Sequence, residues 1–222
     1  MLPEVGIKGQ EKIKNSKVLV VGAGGLGCPV LQYLTAAGVG LIGIIEFDKI
    51  ELHNLHRQIL FSTKDVGKAK AGTAFEKLKK QNPDVSFVVF NEMLCETNAE
   101  KIISQFELVV DGSDNFQTRY LVNDMCVKLS KPLVHGSIFK FEGQLALFNY
   151  RGSKNLRDLY PEPPNAEDVP NCDEVGVLGA VPGIIGTMMS EMALKVLLGD
   201  TQLSNKLLVL NLRDYTLKNI FL

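Results

Sequence analysis

The sequence predicts an α/β protein in which helices cover both faces of a doubly wound, mainly parallel sheet, with antiparallel strands toward the C-terminal half. Up to about residue 136, short β-branched runs alternate with helix-length amphipathic segments, which is typical of a parallel sheet covered on both faces. After residue 136, SIFKFEGQLALFNY alternates apolar and polar positions around Glu142 and Gly143, which indicates an antiparallel hairpin.

The individual elements follow from the same patterns, taken along the chain. Strands are predicted at 17–22, 41–48, 85–90, 107–112, 131–136, 206–211 and 215–222. Helices are predicted at 26–37, 71–82, 98–105, 116–130 and 182–198. Pro182 suits the first turn of the last helix. The stretch from 151 to 178 is rich in Pro, Asn and acidic residues and is predicted to be a long exposed loop.

Length, charge and cysteine spacing narrow the class of protein. The 222 residues are enough for one domain, and a net charge of -1 argues against a nucleic-acid partner. No basic and apolar leader opens the chain, and the apolar stretch at 175–189 is interrupted by glycine and proline, so neither export nor a membrane span is expected. No C-x-x-C pair is formed by the four cysteines, Cys28, Cys95, Cys126 and Cys172. This spacing predicts reduced thiols, a cytoplasmic location and no zinc site.

The segment GAGGLG directly follows the first predicted strand and has the spacing of a nucleotide-binding turn. Gly22, Gly24 and Gly27 occupy the three positions that allow a tight turn, a close phosphate and close helix packing. Glu46, with Asp48 just behind it, ends the second strand at the distance expected of a ribose-binding acid. This combination predicts a Rossmann-like nucleotide site, but the turn alone does not distinguish NAD, FAD and ATP.

Three downstream clusters decide between these nucleotides. They are Asn54, Arg57 and Gln58; Lys68 and Lys70; and Asp111, Asp114, Asn115 and Arg119. In an open α/β sheet such clusters converge at the carboxyl ends of the strands. Arg57 can bind phosphate oxygens through two parallel hydrogen bonds, Lys70 can add a point charge, and Asp114 can hold a magnesium ion. A nicotinamide cofactor would not require these additional charged side chains, so the clusters favour ATP.

Together these segments resemble a known family. GAGGLG, AAGVG, EFDKIELHNLHRQ, VGKAKA, DGSDN, EGQ and NCDEVGVLGAVPGIIG are similar to the ThiF/MoeB/HesA adenylyltransferases, relatives of the ubiquitin-activating enzymes. The resemblance covers the chain from about Leu2 to its end. It implies one adenylation domain over 1–222, with a nucleotide-binding half at about 1–136 and a carrier-binding half at about 137–222.

The resemblance also implies an activity and partners. ATP and Mg²⁺ would adenylylate the C-terminal Gly-Gly carboxylate of a ubiquitin-like sulfur carrier for thiamine or molybdopterin synthesis, releasing pyrophosphate, and the enzyme would be a homodimer. The implied catalytic residues are Arg57, Lys70, Asp114 and Cys172. The implied nucleotide-binding residues are Gly22, Gly24, Gly25, Gly27, Glu46, Asp48, Asn54, Arg57, Gln58, Lys70, Asp114 and Asn115.

The chain departs from the family pattern at three places. An R-Y-x-R-Q stretch would precede LPEVGIKGQEKI, whereas this chain starts at Met1, which predicts a truncated start or reduced activity. Where many relatives have the first zinc-binding C-x-x-C pair, Asn155 and Asp158 stand, so no zinc is expected. Cys172 matches a cysteine that forms a covalent linkage in some members, but the adjacent acids Asp173 and Glu174 would raise the pKa of its thiol.

Two other functions stay open at this point. One is a degenerate family member that binds a nucleotide or a partner without turnover. The other is an NAD-dependent oxidoreductase, which would leave Arg57, Lys70 and Asp114 unexplained.

Overall fold

The structure is a computed structural model that describes residues 2, 5–164, 176–200 and 204–222. Its strands are β1 Lys17–Val21, β2 Leu41–Ile45, β3 Ser86–Phe90, β4 Leu108–Asp111, β5 Leu133–Phe139, β6 Glu142–Phe148, β7 Lys206–Asn211 and β8 Thr216–Phe221. Its helices are α1 Gly6–Asn15, α2 Gly27–Ala37, α3 Lys70–Gln81, α4 Glu96–Ile103, α5 Phe116–Lys128, α6 Leu156–Leu159 and α7 Ala180–Leu198.

All eight strands form one sheet, in the order β3-β2-β1-β4-β5-β6-β7-β8. The strands from β3 to β5 in this order pair in parallel, and those from β5 to β8 pair antiparallel. Buried apolar residues form one cluster on each face of the sheet. The predicted α/β class with a parallel first half and antiparallel C-terminal strands is therefore confirmed.

Some helix and strand boundaries differ from those predicted, because contacts between distant parts of the chain extend or create elements that the local sequence pattern does not indicate. The predicted strand 131–136 and the first arm of the hairpin are one continuous strand, β5, because β6 pairs along it from Leu133 to Phe139. Helix α1 has no predicted counterpart, since GIKGQEKIKN is polar and buries little beyond Gly9 and Ile13. The short helix α6 lies inside the predicted exposed loop, held there by contacts described below.

Helix α7 contains the predicted helix 182–198 and begins two residues earlier. Pro182 lies in its first turn, and Gly183 and Gly186 lie within the 19-residue helix, so the residues that interrupt the apolar run of the sequence do not interrupt the helix. By length and composition alone this helix could cross a membrane, but half of its apolar window is buried inside the protein. It packs against α2, β5 and β6, which is the position of a core helix.

Asp65 anchors the long connection between β2 and α3. Its carboxylate accepts hydrogen bonds from the Ser62 amide at 2.9 Å and the Ser62 hydroxyl at 2.8 Å, and it pairs with Lys77 and Lys68. The bond to Lys77, supported by Ser62, holds the pKa of Asp65 well below its usual range although burial acts the other way. The lowered pKa means that folding favours the ionised form.

Replacing Asp65 by asparagine should therefore lower the free energy of unfolding at neutral pH and also reduce how much that free energy falls in acid. We expect a loss of roughly 1–3 kcal/mol at pH 7, since the half-buried Lys77 loses its charged acceptor. The carboxylate's contribution is complete above its unfolded pKa of about 3.9 and is lost as pH falls below it, so the wild type should lose more stability than the variant between pH 5 and pH 3. Urea unfolding across this range measures both effects. Asp84→Asn, in an exposed loop, is the control, and equal pH profiles for wild type and Asp65→Asn would contradict the assignment.

Candidate functional site

A cleft lies at the carboxyl ends of the parallel strands, where ligands of open α/β sheets bind. The space within it is about 970 Å³, part of which is open to solvent. Its polar lining comes from six chain segments: Gly22, Gly24 and Gly25; Glu46 and Asp48; Arg57 and Gln58; Lys70; Glu92; and Ser113, Asp114, Asn115, Thr118 and Arg119. All three predicted clusters thus reach the glycine turn.

The glycine turn is fixed by the strand beside it and by a buried carboxylate. Gly22 has a φ of 89°, in the left-handed region that favours glycine, and its amide donates to the Ile45 carbonyl at 2.9 Å. Glu46 accepts a hydrogen bond from the Ala23 amide at 3.0 Å through one oxygen. Its other oxygen accepts from the amides of Phe47 and Asp48. Glu46 therefore connects the end of β2 to the turn, while its predicted contact with a ribose stays a prediction.

Lys70 places a buried positive charge in the cleft at the start of α3. The residue is 5% exposed, and its ammonium donates to the Asp48 carboxylate at 3.0 Å. Its backbone amide donates to the Asp48 carbonyl at 2.9 Å, which fixes the start of the helix against the end of β2. An ammonium has three N–H donors, so Lys70 retains donors for an anionic ligand while Asp48 balances its charge.

Arg57 and Gln58 lie beside the glycine turn. The Arg57 guanidinium is 2.9 Å from His56 Nε2, and the Arg57 Cδ lies 3.6 Å from the point where a Cβ on Gly25 would stand. Gln58 is 3% exposed, and its Oε1 is buried without a hydrogen-bond partner in the described part of the chain. Its Nε2 lies next to Gly24. Buried amide groups are normally paired, so this one indicates that a bound molecule completes the site.

The loop after β4 presents Asp114 to the cleft. Asp111, completely buried, accepts hydrogen bonds from the Ser113 amide at 3.0 Å and hydroxyl at 2.6 Å, and it lies 3.3 Å from His135 Nδ1. Burial raises the pKa of Asp111, but His135 and Ser113 outweigh it and hold the pKa below its usual range. Arg119 donates to the Ser113 carbonyl at 3.0 Å. The loop is therefore fixed at Ser113 by Asp111, at the end of β4, and by Arg119, in α5.

Asp114 itself is left exposed at the tip of this loop. No hydrogen bond or ion pair engages its carboxylate among residues 5–164, 176–200 and 204–222. Neighbouring Asn115 caps α5 by accepting a hydrogen bond from the Thr118 amide at 2.8 Å. Asp114 is thus available to a ligand, and Asn115 is already used to begin the helix.

Two predicted site residues do not line the cleft. Asn54 is buried, its Oδ1 accepts a hydrogen bond from the Glu51 amide at 3.2 Å, and its carbonyl accepts from the Arg57 and Gln58 amides. It therefore supports the turn that carries those two residues. Gly27 lies behind the cleft where α2 packs on the Gly22 backbone. Cys172, a further prediction, lies outside the described residues.

The cleft also has an apolar wall that the sequence reasoning missed. It consists of Val21, Leu26, Ile45, Phe47, Met93, Leu94, Ile138 and Val177. Met93 and Leu94 follow β3, so the rule that ligands gather at carboxyl ends of strands would have indicated them. Such a surface suits the flat face of a base better than phosphates.

Two metals are relevant to these residues: magnesium, which the family resemblance implies, and zinc, which many relatives bind but which is not expected in this chain. In the described ranges, no three His, Cys, Asp or Glu side chains cluster closely enough to hold a metal ion by themselves. Magnesium fits this cleft, because it is normally held by one or two carboxylates together with substrate phosphates, and Asp114 supplies such a carboxylate. A thiolate zinc site does not fit Asn155 and Asp158, whose side chains hydrogen-bond each other at 2.7 Å.

Comparison with known proteins agrees with this geometry. A family model described as the ThiF family matches residues 1–221. The chain belongs to the ThiF family. The ThiF-family resemblance predicted from the sequence is thus confirmed over almost its whole length.

Similar proteins of this family are named as adenylyltransferases. The sulfur carrier protein adenylyltransferase of Thermus thermophilus is 51% identical over 204 residues, covering 90% of this chain and 75% of that protein. The adenylyltransferase and sulfurtransferase MOCS3 of Danio rerio is 49% identical over 199 residues, covering 90% of this chain and 43% of that protein. The chain therefore spans less than half the length of that relative. These names support a transferase activity.

Solved structures share the fold at lower identity. The crystal structure of E. coli MccB with ATP superposes with a TM-score of 0.83 at 22% identity, covering 96% of this chain and 65% of that one. A second MccB structure, with MccA-N7isoASN, gives a TM-score of 0.84 at 22% identity and the same coverage. At this identity the likeness concerns the fold alone.

Proposed function

We propose that this ThiF-family protein uses ATP to adenylylate the C-terminal carboxylate of a sulfur-carrier protein that ends in Gly-Gly, with release of pyrophosphate. The observation that carries the proposal is the convergence of Arg57, Lys70 and Asp114 on one glycine turn in a single cleft. The names of the relatives, which include sulfur carrier protein and molybdopterin-synthase adenylyltransferases, support it.

The proposed chemistry needs alignment and charge neutralisation more than proton transfer. A peptide C-terminal carboxylate has a pKa of about 3.5 and is already ionised at neutral pH. The enzyme's task is to bring it in line with the α-phosphate and to stabilise the negative charge that develops on the leaving pyrophosphate. Arg57 and Lys70 supply positive charge beside the turn, and the buried Gln58 amide supplies an orienting hydrogen-bonding group. No histidine is required as a general base.

Asp114 is proposed as the magnesium-binding residue. Its carboxylate is exposed to the cleft and the Asp111 network holds its loop in place. When bound, magnesium would supply positive charge that neutralises part of the negative charge of the phosphates. The chain's own contribution is to hold this carboxylate in the same cleft as Arg57 and Lys70.

The remaining parts of the proposal come from the family resemblance. They are a homodimeric assembly, a cytoplasmic location, and a carrier that serves thiamine or molybdopterin synthesis. A homodimer is tested by light scattering of the purified protein.

Pyrophosphate exchange tests the activity. We expect radiolabelled pyrophosphate to be incorporated into ATP when a carrier with an intact Gly-Gly end is added, and not when the last two glycines are removed. ATP binding without exchange would favour a family member that lacks turnover. Binding of a nicotinamide dinucleotide without any response to ATP would favour an oxidoreductase and contradict the proposal.

A further inference from the structure

The chain segment after β6 is attached to one face of α5. Tyr120, Asn123 and Asp124 are spaced i, i+3 and i+4, so they lie on the same side of that helix. All three contact residues 155–162, and Arg157 is the central side chain on the opposite side. We call Tyr120, Asn123, Asp124 and Arg157 the α5 clasp.

Arg157 uses all three guanidinium nitrogens in the clasp. Its Nε and Nη2 donate to the two Asp124 oxygens at 2.7 and 2.8 Å, a bidentate pair, and its Nη1 donates to the Pro161 carbonyl at 2.8 Å. The guanidinium also lies 4.8 Å from the centre of the Tyr120 ring. Their mutual hydrogen bonds raise the pKa of Arg157 and lower that of Asp124.

Tyr120 and Asn123 hold the two ends of the same segment. The Tyr120 hydroxyl lies 2.9 Å from the Tyr160 carbonyl and 2.8 Å from the Glu162 carbonyl, either of which accepts its proton. Asn123, only 1% exposed, accepts a hydrogen bond from the Leu156 amide at 2.9 Å. Because these contacts involve backbone groups, they fix the path of the chain as well as its side chains.

The clasp lies where many relatives have the first zinc-binding C-x-x-C pair, at positions where no zinc was expected in this chain. Asn155 and Asp158 occupy the ligand positions, and they form a cap on α6 instead: Asn155 donates to Asp158 through its backbone amide at 2.8 Å and its side-chain amide at 2.7 Å. The Asn155 oxygen accepts from the Arg157 amide. This donor set has no thiolate, and its polar atoms are already engaged.

The same helix supports the cleft. α5 begins at Phe116, directly after Asn115 in the cleft wall, and Arg119 donates to the Ser113 carbonyl one residue before Tyr120. We propose that the α5 clasp is a metal-free staple that fixes residues 155–162 to the helix bearing the Asp114 loop. Arg157 then positions residues 155–162, which lie in the half that the family resemblance assigns to carrier binding, against that helix, a role that rests on the proposed function.

Hydrogen exchange tests the staple independently of activity. In the full chain, Arg157→Met keeps an unbranched aliphatic side chain next to Tyr120 but removes the guanidinium group and its hydrogen bonds. It should lower amide protection at residues 156–162 by about tenfold or more. Arg157→Lys should lose part of that protection. Lys128→Met is the matched control, because Lys128 is the last residue of α5 and forms an exposed ion pair with Glu100 of α4. This variant should leave the segment protected.

Treating the wild type with a strong chelator should leave the same protection unchanged. A loss of protection on chelation would show a metal staple and overturn the proposal, as would unchanged protection in Arg157→Met. Circular dichroism shows whether Arg157→Met folds. If it does not, amide protection at residues 156–162 is compared between the wild type and the variants Arg157→Lys and Asp124→Asn instead.

The positioning role has a separate readout. In carrier-dependent exchange, Arg157→Lys should raise the KM for the carrier by about fivefold or more and leave the KM for ATP unchanged, while Lys128→Met changes neither. Equal KM values for the carrier in wild type and Arg157→Lys would overturn the positioning role. Absence of exchange in the wild type would contradict the proposed function and leave the hydrogen-exchange result to decide the staple.

Discussion

Asp114→Ala is expected to reduce carrier-dependent pyrophosphate exchange by at least about a hundredfold, the loss typical of removing one major electrostatic stabiliser. The physical reason is that Asp114 is the exposed carboxylate at the tip of a loop fixed by Asp111 and Arg119. Because its side chain makes no hydrogen bond in the described part of the protein, the variant should unfold at nearly the wild-type urea concentration. Exchange is measured at several magnesium concentrations.

A neighbouring variant serves as the control for Asp114. Gln117 is exposed on the first turn of α5 and does not line the cleft, so Gln117→Ala should exchange at the wild-type rate. Normal exchange in Asp114→Ala, with the same magnesium dependence as wild type, would show that another group fulfils the role assigned to Asp114.

Gly27→Ala is expected to have the largest effect on folding. A Cβ at Gly27 would overlap the backbone carbonyl oxygen of Gly22, and backbone at the nucleotide turn cannot move aside as a flexible side chain can. We expect a loss of about 3 kcal/mol or more in the free energy of unfolding, or no folded protein at all. Urea unfolding followed by circular dichroism measures it.

Gly72→Ala is the matched control for Gly27. Gly72 lies inside α3, and a Cβ there would meet nothing within 4 Å. Alanine should therefore stabilise the protein by about 0.5–1 kcal/mol through its better helix propensity. Similar stabilities for Gly27→Ala and Gly72→Ala would show that the turn does not depend on close helix packing.

The parallel half of the fold was predictable because its signals are local. β1, β2 and β4 are short apolar runs, and each leads into a segment at the carboxyl edge of the sheet: the glycine turn after β1, Glu46 after β2 and Asp114 after β4. Helix α1 was not predicted, because its ten residues are mostly polar and only Gly9 and Ile13 are buried. The length of β5 was not predicted either, because it is set by its pairing with β6.

The site was predictable as a set of residues but not as a set of contacts. Arg57, Lys70 and Asp114 converge as expected. Sequence spacing alone could not show that Asn54 turns inward to support Arg57, or that Glu46 is engaged by three backbone amides. The α5 clasp was also not predictable, because Asp124 and Arg157 are 33 residues apart and their pairing depends on tertiary structure.

The most direct measurement of the central claim is the mass of the carrier after incubation with the enzyme, ATP and magnesium. We expect a carrier whose mass has increased by one adenylyl group. This product should form only when the Gly-Gly end bears a free carboxylate and should be absent for a carrier with an amidated end. The adduct should disappear when pyrophosphate is added, since the reaction then runs backward. An unmodified carrier in the presence of an enzyme that binds ATP would contradict adenylyl transfer.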